Sequence, residues 1–99
     1  MIVHIVLFKW TEGASQDEID EVMVQLNAMD GKIPGIREIS CGVDFTGRGD
    51  GYTHGLLVKF NTKNDLLQYG PHPVHRNVVE NFINPIRGSV LAFDYEILE

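Results

Sequence analysis

Four histidines, His4, His54, His72 and His75, are the residues of this sequence best suited to chemistry. An imidazole with a solution pKa near 6.5 gains and loses a proton around neutral pH, so each could serve as general base, general acid or metal ligand. Tyr69 stands in the same short segment as His72 and His75 and adds a phenol that can donate a hydrogen bond. His72 and His75 are spaced so that they could share a metal on one helix face. However, no carboxylate follows at a matching interval, and there is no HExxH pattern and no second cysteine. The expectation is therefore no bound metal. Cys41 is alone and has no Cys–His signature, and it reads as a small buried hydrophobe. Gly47, Gly49 and Gly51 form a flexible loop that precedes a strand rather than a helix, which does not fit a nucleotide-binding fingerprint.

The elements that must position these side chains follow from periodicity. Residues 2–10 are β-rich and apolar on both alternations, His4 lying with Ile2, Val6, Phe8 and Trp10. A strand apolar on both faces is covered on both. Ser15 and Glu18 form a capping-box pattern, and Ile19, Val22, Met23, Leu26, Met29 and Ile33 recur at helical spacing. Pro34-Gly35 is the expected stop. Residues 36–43 and 52–60 read as strands two and three, with His54 on the same alternation as Leu56, Val58 and Phe60. Thr62 and Asp65 start a second helical region, Gly70-Pro71 interrupts it, and Pro73 suits a new first turn. His75 then falls on an apolar face with Val78, Val79, Phe82 and Ile86, while His72 reads as a turn or cap residue. Residues 89–98 form the last strand, with Leu91, Phe93, Tyr95 and Ile97 alternating.

The order β-α-β-β-α-β with right-handed crossovers predicts an α+β, ferredoxin-like sheet ordered 4-1-3-2 with both helices on one face. If the His4 and His54 faces point at the helices, both converge with His75 and Tyr69. That would be either a hydrogen-bonded histidine cluster or a pocket.

Composition narrows the function classes. The chain of 99 residues suits a single domain spanning 1–99. With 14 acidic against 8 basic residues, a net charge of −6 and no basic run, nucleic-acid binding is disfavoured. No apolar stretch approaches a membrane span, so no membrane partner is expected. The apolar start lacks a basic segment and a cleavage site, and the single cysteine fits a reducing compartment, so a cytoplasmic location is expected. The two-sided apolarity of the first strand points to a second copy of the chain as partner, packed on Val3, Ile5 and Leu7.

Several segments together are similar to one family: His-Ile-Val-Leu-Phe-Lys at 4–9, Ile-Pro-Gly at 33–35, Gly-Tyr-Thr-His at 51–54, Tyr-Gly-Pro-His-Pro-Val-His at 69–75 and Phe-Asp-Tyr at 93–95. In this order and spacing, over nearly the whole chain, the sequence resembles the stress-responsive dimeric α/β-barrel family. The resemblance implies a ferredoxin-like protomer whose sheet packs against that of a second protomer to form a homodimeric α/β barrel. Most members of that family have no established activity. A plant polyketide cyclase within it closes a linear tetraketide thioester by aldol condensation, using a Tyr–His pair and no cofactor. The resemblance places that pair on Tyr69 and His75 and its two strand histidines on His4 and His54. The substrate-binding wall it implies comprises Val6, Phe8, Met23, Leu26 and Leu56. Two departures bear on substrate shape: Gly70-Pro71 stands where the cyclase has bulkier residues, and Met23 and Leu26 stand where it is aromatic. The implied function is a cofactor-independent lyase or cyclase acting on a ketide-like small molecule. The alternatives are a non-catalytic stress-responsive protein that binds a small-molecule ligand and, more remotely, a cofactor-free or haem-dependent monooxygenase-like enzyme.

Overall fold

The computed structural model describes all 99 residues. The β-branched and aromatic run Ile2–Trp10 forms the first strand, β1. The other strands are Ile36–Val43 (β2), His54–Phe60 (β3) and Arg87–Glu96 (β4). They make one antiparallel sheet ordered β2-β3-β1-β4, the 4-1-3-2 order expected from the sequence. Helix α1 (Gln16–Asn27) starts on the full Ser15–Glu18 capping box and buries Val22 and Leu26. It ends at Asn27, ahead of the expected stop at Pro34-Gly35. Met29 and Ile33 are still buried, but in the turns that follow, where Gly31 takes a left-handed φ of 78° that other residues resist. Strand β3 begins at His54, because Tyr52 and Thr53 are taken up in the loop by hydrogen bonds to Gly49 and Asp44.

Helix α2 (Lys63–Tyr69) starts on the Thr62–Asp65 capping box. After Gly70-Pro71 the chain turns into α3 (Pro73–Val78), whose N-cap is His72, its ring nitrogen accepting from the Val74 amide. The helix then widens into a π-helical turn over Val79–Ile83, closed by an Asn84 amide to Val79 carbonyl bond of 2.8 Å. The second helical region is therefore two helices, separated at Gly70-Pro71 and restarted at Pro73 as the sequence indicates, with a π turn that the sequence did not indicate.

The helices cover the sheet face carrying Ile2, Val6 and Phe8 of β1 and Leu56, Val58 and Phe60 of β3, all buried. The opposite face carries Val3, Ile5 and Leu7, paired in register with Tyr95, Phe93 and Leu91 of β4. Opposed residues of an antiparallel pair project to the same side. Phe93 is 62% exposed and Leu91 48%. A stripe of large apolar side chains therefore lies open on the sheet.

Candidate active site

Tyr69 is the last residue of α2 and is only 2% exposed. Its ring packs edge-on to Phe60 and to His4, and lies 4.2 Å, centroid to centroid, from the ring of His75. Its hydroxyl is buried and has no hydrogen-bond partner. A hydroxyl removed from water without a partner costs about 1–3 kcal/mol, so such groups are rare in folded proteins. Burial also pushes the phenol well above its ordinary pKa of 10.

Helix α3 delivers His75. Its Nδ1 lies 2.9 Å from the Gly70 carbonyl oxygen. A carbonyl only accepts, so Nδ1 carries the hydrogen and the Nε2 lone pair remains free to take a proton. Burial lowers the pKa of His75, the Gly70 bond works against that, and the neighbouring His4 and His72 lower it further. The imidazole is thus neutral at pH 7, in the form a general base requires. The short Gly70-Pro71 link explains the geometry: the residue after Tyr69 supplies the carbonyl that orients His75.

His4 projects from the same sheet face, and its Nδ1 hydrogen-bonds the Asp94 carboxylate of β4, its cross-strand partner. His4, Tyr69 and His75 border a cavity of about 270 Å³, ten of whose fourteen lining residues are hydrophobic. Val6 and Phe8 from β1, Leu26 from α1 and Leu56 from β3 form the sheet side and one wall. Leu66, Val79 and Ile83 close the helix side, and Arg87, Val90 and Ala92 of β4 complete it.

Two expected wall residues lie elsewhere. His54 is buried on the helix-facing side but does not line the cavity. In the register His4 faces Val58 and Phe8 faces His54, so the two histidines stand four residues, about 13 Å, apart along the strands. His54 instead accepts a 3.0 Å hydrogen bond from the Trp10 indole on Nδ1 and lies 2.8 Å from the Thr53 hydroxyl. Burial lowers its pKa, with the nearby Asp20 opposing, so it is a neutral, satisfied core histidine. Met23 is also outside the cavity: it sits on the β2 side of α1, where its carbonyl accepts from the Cys41 thiol at 3.6 Å. His72 caps a helix. No three His, Cys, Asp or Glu side chains stand close enough together to hold a metal ion.

Asp94 and Arg87 were not singled out by sequence reasoning. The signal for Asp94 was present: it is the carboxylate set between Phe93 and Tyr95, and it faces His4 once β4 is placed beside β1. Arg87 gives no such signal, because it enters the wall through an irregularity in the β1–β4 pairing between Phe8 and Trp10.

Comparison with known proteins places this arrangement. The sequence matches the family described as stress responsive A/B barrel domain over residues 2–97. It is 31% identical over 96 residues to a stress-response A/B barrel domain-containing protein of Arabidopsis thaliana. That alignment takes in 96% of this chain but 36% of the longer protein. Among solved structures, the fold is similar to that of a hydroxynitrile lyase from Passiflora edulis, with a TM-score of 0.87 and 24% identity over 99% of this chain and 94% of the other. It is also similar to a dimeric protein of unknown function and ferredoxin-like fold from Bacteroides fragilis, with a TM-score of 0.81 and 28% identity over 97% and 95% of the two chains. With the strand order, the helices on one sheet face and this full-length match in agreement, the chain belongs to the stress-responsive A/B barrel domain family.

Proposed function

We propose that the cavity is the active site of a cofactor-independent lyase or cyclase, with Tyr69 and His75 as an acid–base pair acting on a carbonyl-bearing, ketide-like small molecule. The observation that carries this reading is Tyr69, a residue of the cavity wall whose buried hydroxyl has no partner, beside a neutral imidazole. A donor held out of water with nothing to bond is matched by a ligand oxygen. A volume of about 270 Å³ suits a small ligand, since pockets for drug-sized molecules run from about 300 to 1,000 Å³.

The chemistry follows from the two protonation states. The carbon between two carbonyls of a poly-β-ketone is acidic enough for an imidazole base. Nε2 of His75 takes that proton, because Nδ1 is committed to Gly70. Tyr69, kept protonated by burial, donates a hydrogen bond to the carbonyl oxygen as it becomes an enolate. The enolate carbon then bonds to a second carbonyl carbon of the same chain, and the resulting alkoxide recovers the proton from His75. Such acid–base assistance contributes about 10²–10⁴-fold. The apolar wall folds the chain into a reactive geometry. The Passiflora relative named above is a lyase on the same scaffold.

The same proposal includes assembly: two copies pack through the apolar face where Leu91, Phe93 and Tyr95 lie open beside Ile5 and Leu7, while Val3 on that face is already buried within the protomer; the Bacteroides relative described above is dimeric.

The test is turnover of a panel of poly-β-ketone thioesters. His75→Ala abolishes turnover with the fold intact, and Tyr69→Phe lowers kcat with little change in KM, because only the hydroxyl is lost. Full activity in His75→Ala removes the mechanism. A panel that binds but never reacts assigns the cavity to ligand binding without catalysis.

A further inference from the structure

Arg87 is the one side chain of the cavity wall with a permanent positive charge. It makes no ion pair and no side-chain hydrogen bond. The backbone on both sides of it is fixed. Ile86 before it is 4% exposed, and its carbonyl accepts from the Thr11 amide at 2.9 Å. Gly88 after it runs so close to β1 that a Cβ would stand 2.9 Å from the Lys9 carbonyl oxygen. A rigid stem therefore brings an unpaired arginine to a wall that, apart from His4, Gly70 and His75, is apolar. The carboxylate nearest the wall on the same strand, Asp94, is engaged by His4. The charge is also conspicuous against the whole chain, whose net charge of −6 repels anions.

The distribution along β4 gives direction. Arg87 stands at the start of the strand and Ala92, the last wall residue on it, lies five residues on, a rise of about 16 Å. Ala92 is next to Asp94 on the same alternation, at the His4 end. The cavity wall thus has an acid–base end at His4, Tyr69 and His75 and a cationic end at Arg87, with Val90 and Ala92 between them.

We infer that the cavity takes an amphipathic carboxylate: an apolar chain along Val90 and Ala92, its carboxylate held by Arg87 and its far end presented to Tyr69 and His75. This rests on the cavity being a ligand site, as proposed above, and names the chemical class it selects. A planar guanidinium meets a carboxylate with two parallel hydrogen bonds, which gives orientation as well as affinity. An elongated substrate bound this way enters in one sense only.

The test is calorimetric titration of the protein as purified with straight-chain carboxylates of six to ten carbons and with their neutral amides. In parallel, NMR follows the His75 imidazole. The wild type binds the carboxylates about tenfold more tightly than the amides, or better, and both shift His75. Arg87→Gln removes that preference and leaves amide affinity unchanged, while Arg87→Lys keeps part of it. Added salt erodes the preference. Equal binding of carboxylate and amide by the wild type, or an undiminished preference in Arg87→Gln, overturns the role of Arg87 and leaves the cavity reading standing. No shift of His75 with any member of either series removes the cavity reading and this inference with it. Because Arg87 is exposed, its replacement does not endanger the fold.

Discussion

Tyr69 trades stability for a free donor. Its hydroxyl is buried without a partner, so Tyr69→Phe is expected to be more stable by about 1 kcal/mol, read as a raised denaturant midpoint, even as turnover falls. A variant that is destabilised instead would mean that the hydroxyl has a partner in solution. His75 sets the acid limb. Its pKa lies below the ordinary 6.5 because of burial, and the same holds for His54. The unfolded chain therefore binds protons that the folded chain refuses, and stability is full above about pH 6.5 and falls as the pH drops below it. Rate is expected to rise with pH through an apparent pKa below 6.5 and then to hold level through mildly alkaline pH, because Tyr69 loses its proton only well above its ordinary range. A pH–rate profile with its midpoint above 6.5 would contradict this. At this scale the sequence indicated which side chains come together: His4, Tyr69 and His75 line one cavity. It was silent on which nitrogen carries each proton, since that depends on a carbonyl at Gly70 and a carboxylate at Asp94.

Among the elements, α2 carries Tyr69 and is held at its start by Asp65, which accepts from the Thr62 amide. Gly35, with φ at 93°, passes so close that a Cβ there would stand 2.8 Å from the Asp65 side chain. Gly35→Ala is therefore expected to strain the backbone and displace the cap together, costing about 2 kcal/mol in chemical denaturation and lowering ligand affinity at a distance from the cavity. An unchanged unfolding midpoint would sink that coupling. The strands, their order and both capping boxes were legible in the sequence because each depends on local periodicity or on residues three apart. The early end of α1, the placement of Met23 and the fate of His54 were not. His54 shares the buried alternation of β3, as read, but the distance that separates it from His4 is a matter of register between strands, and register is set by pairing that no single strand encodes.

For the whole molecule, the exposed sheet face is the dominant fact. Phe93, Leu91 and Tyr95 lie open beside Ile5 and Leu7, an apolar stripe of the kind that a partner covers. An obligate interface built there buries about 2,000 Å² or more in total. Ile5→Lys places an unpaired charge in it and is expected to halve the mass seen by light scattering, or to leave the chain unfolded. A wild type that stays monomeric at micromolar concentration would rule out the assembly. No helix of the chain is long and apolar enough to cross a membrane.

The π-helical turn at Val79–Ile83 makes the chain's length a determinant of angle. An α-helix advances about 100° per residue, because 3.6 residues complete a turn. Were one residue of the bulge lost and the turn to relax into ordinary helix, everything before it would swing by about that angle relative to β4. His75 would then face away from Arg87, and the two ends of the wall would no longer share a cavity. Along this stretch, a single deletion would act as a change of direction rather than of size.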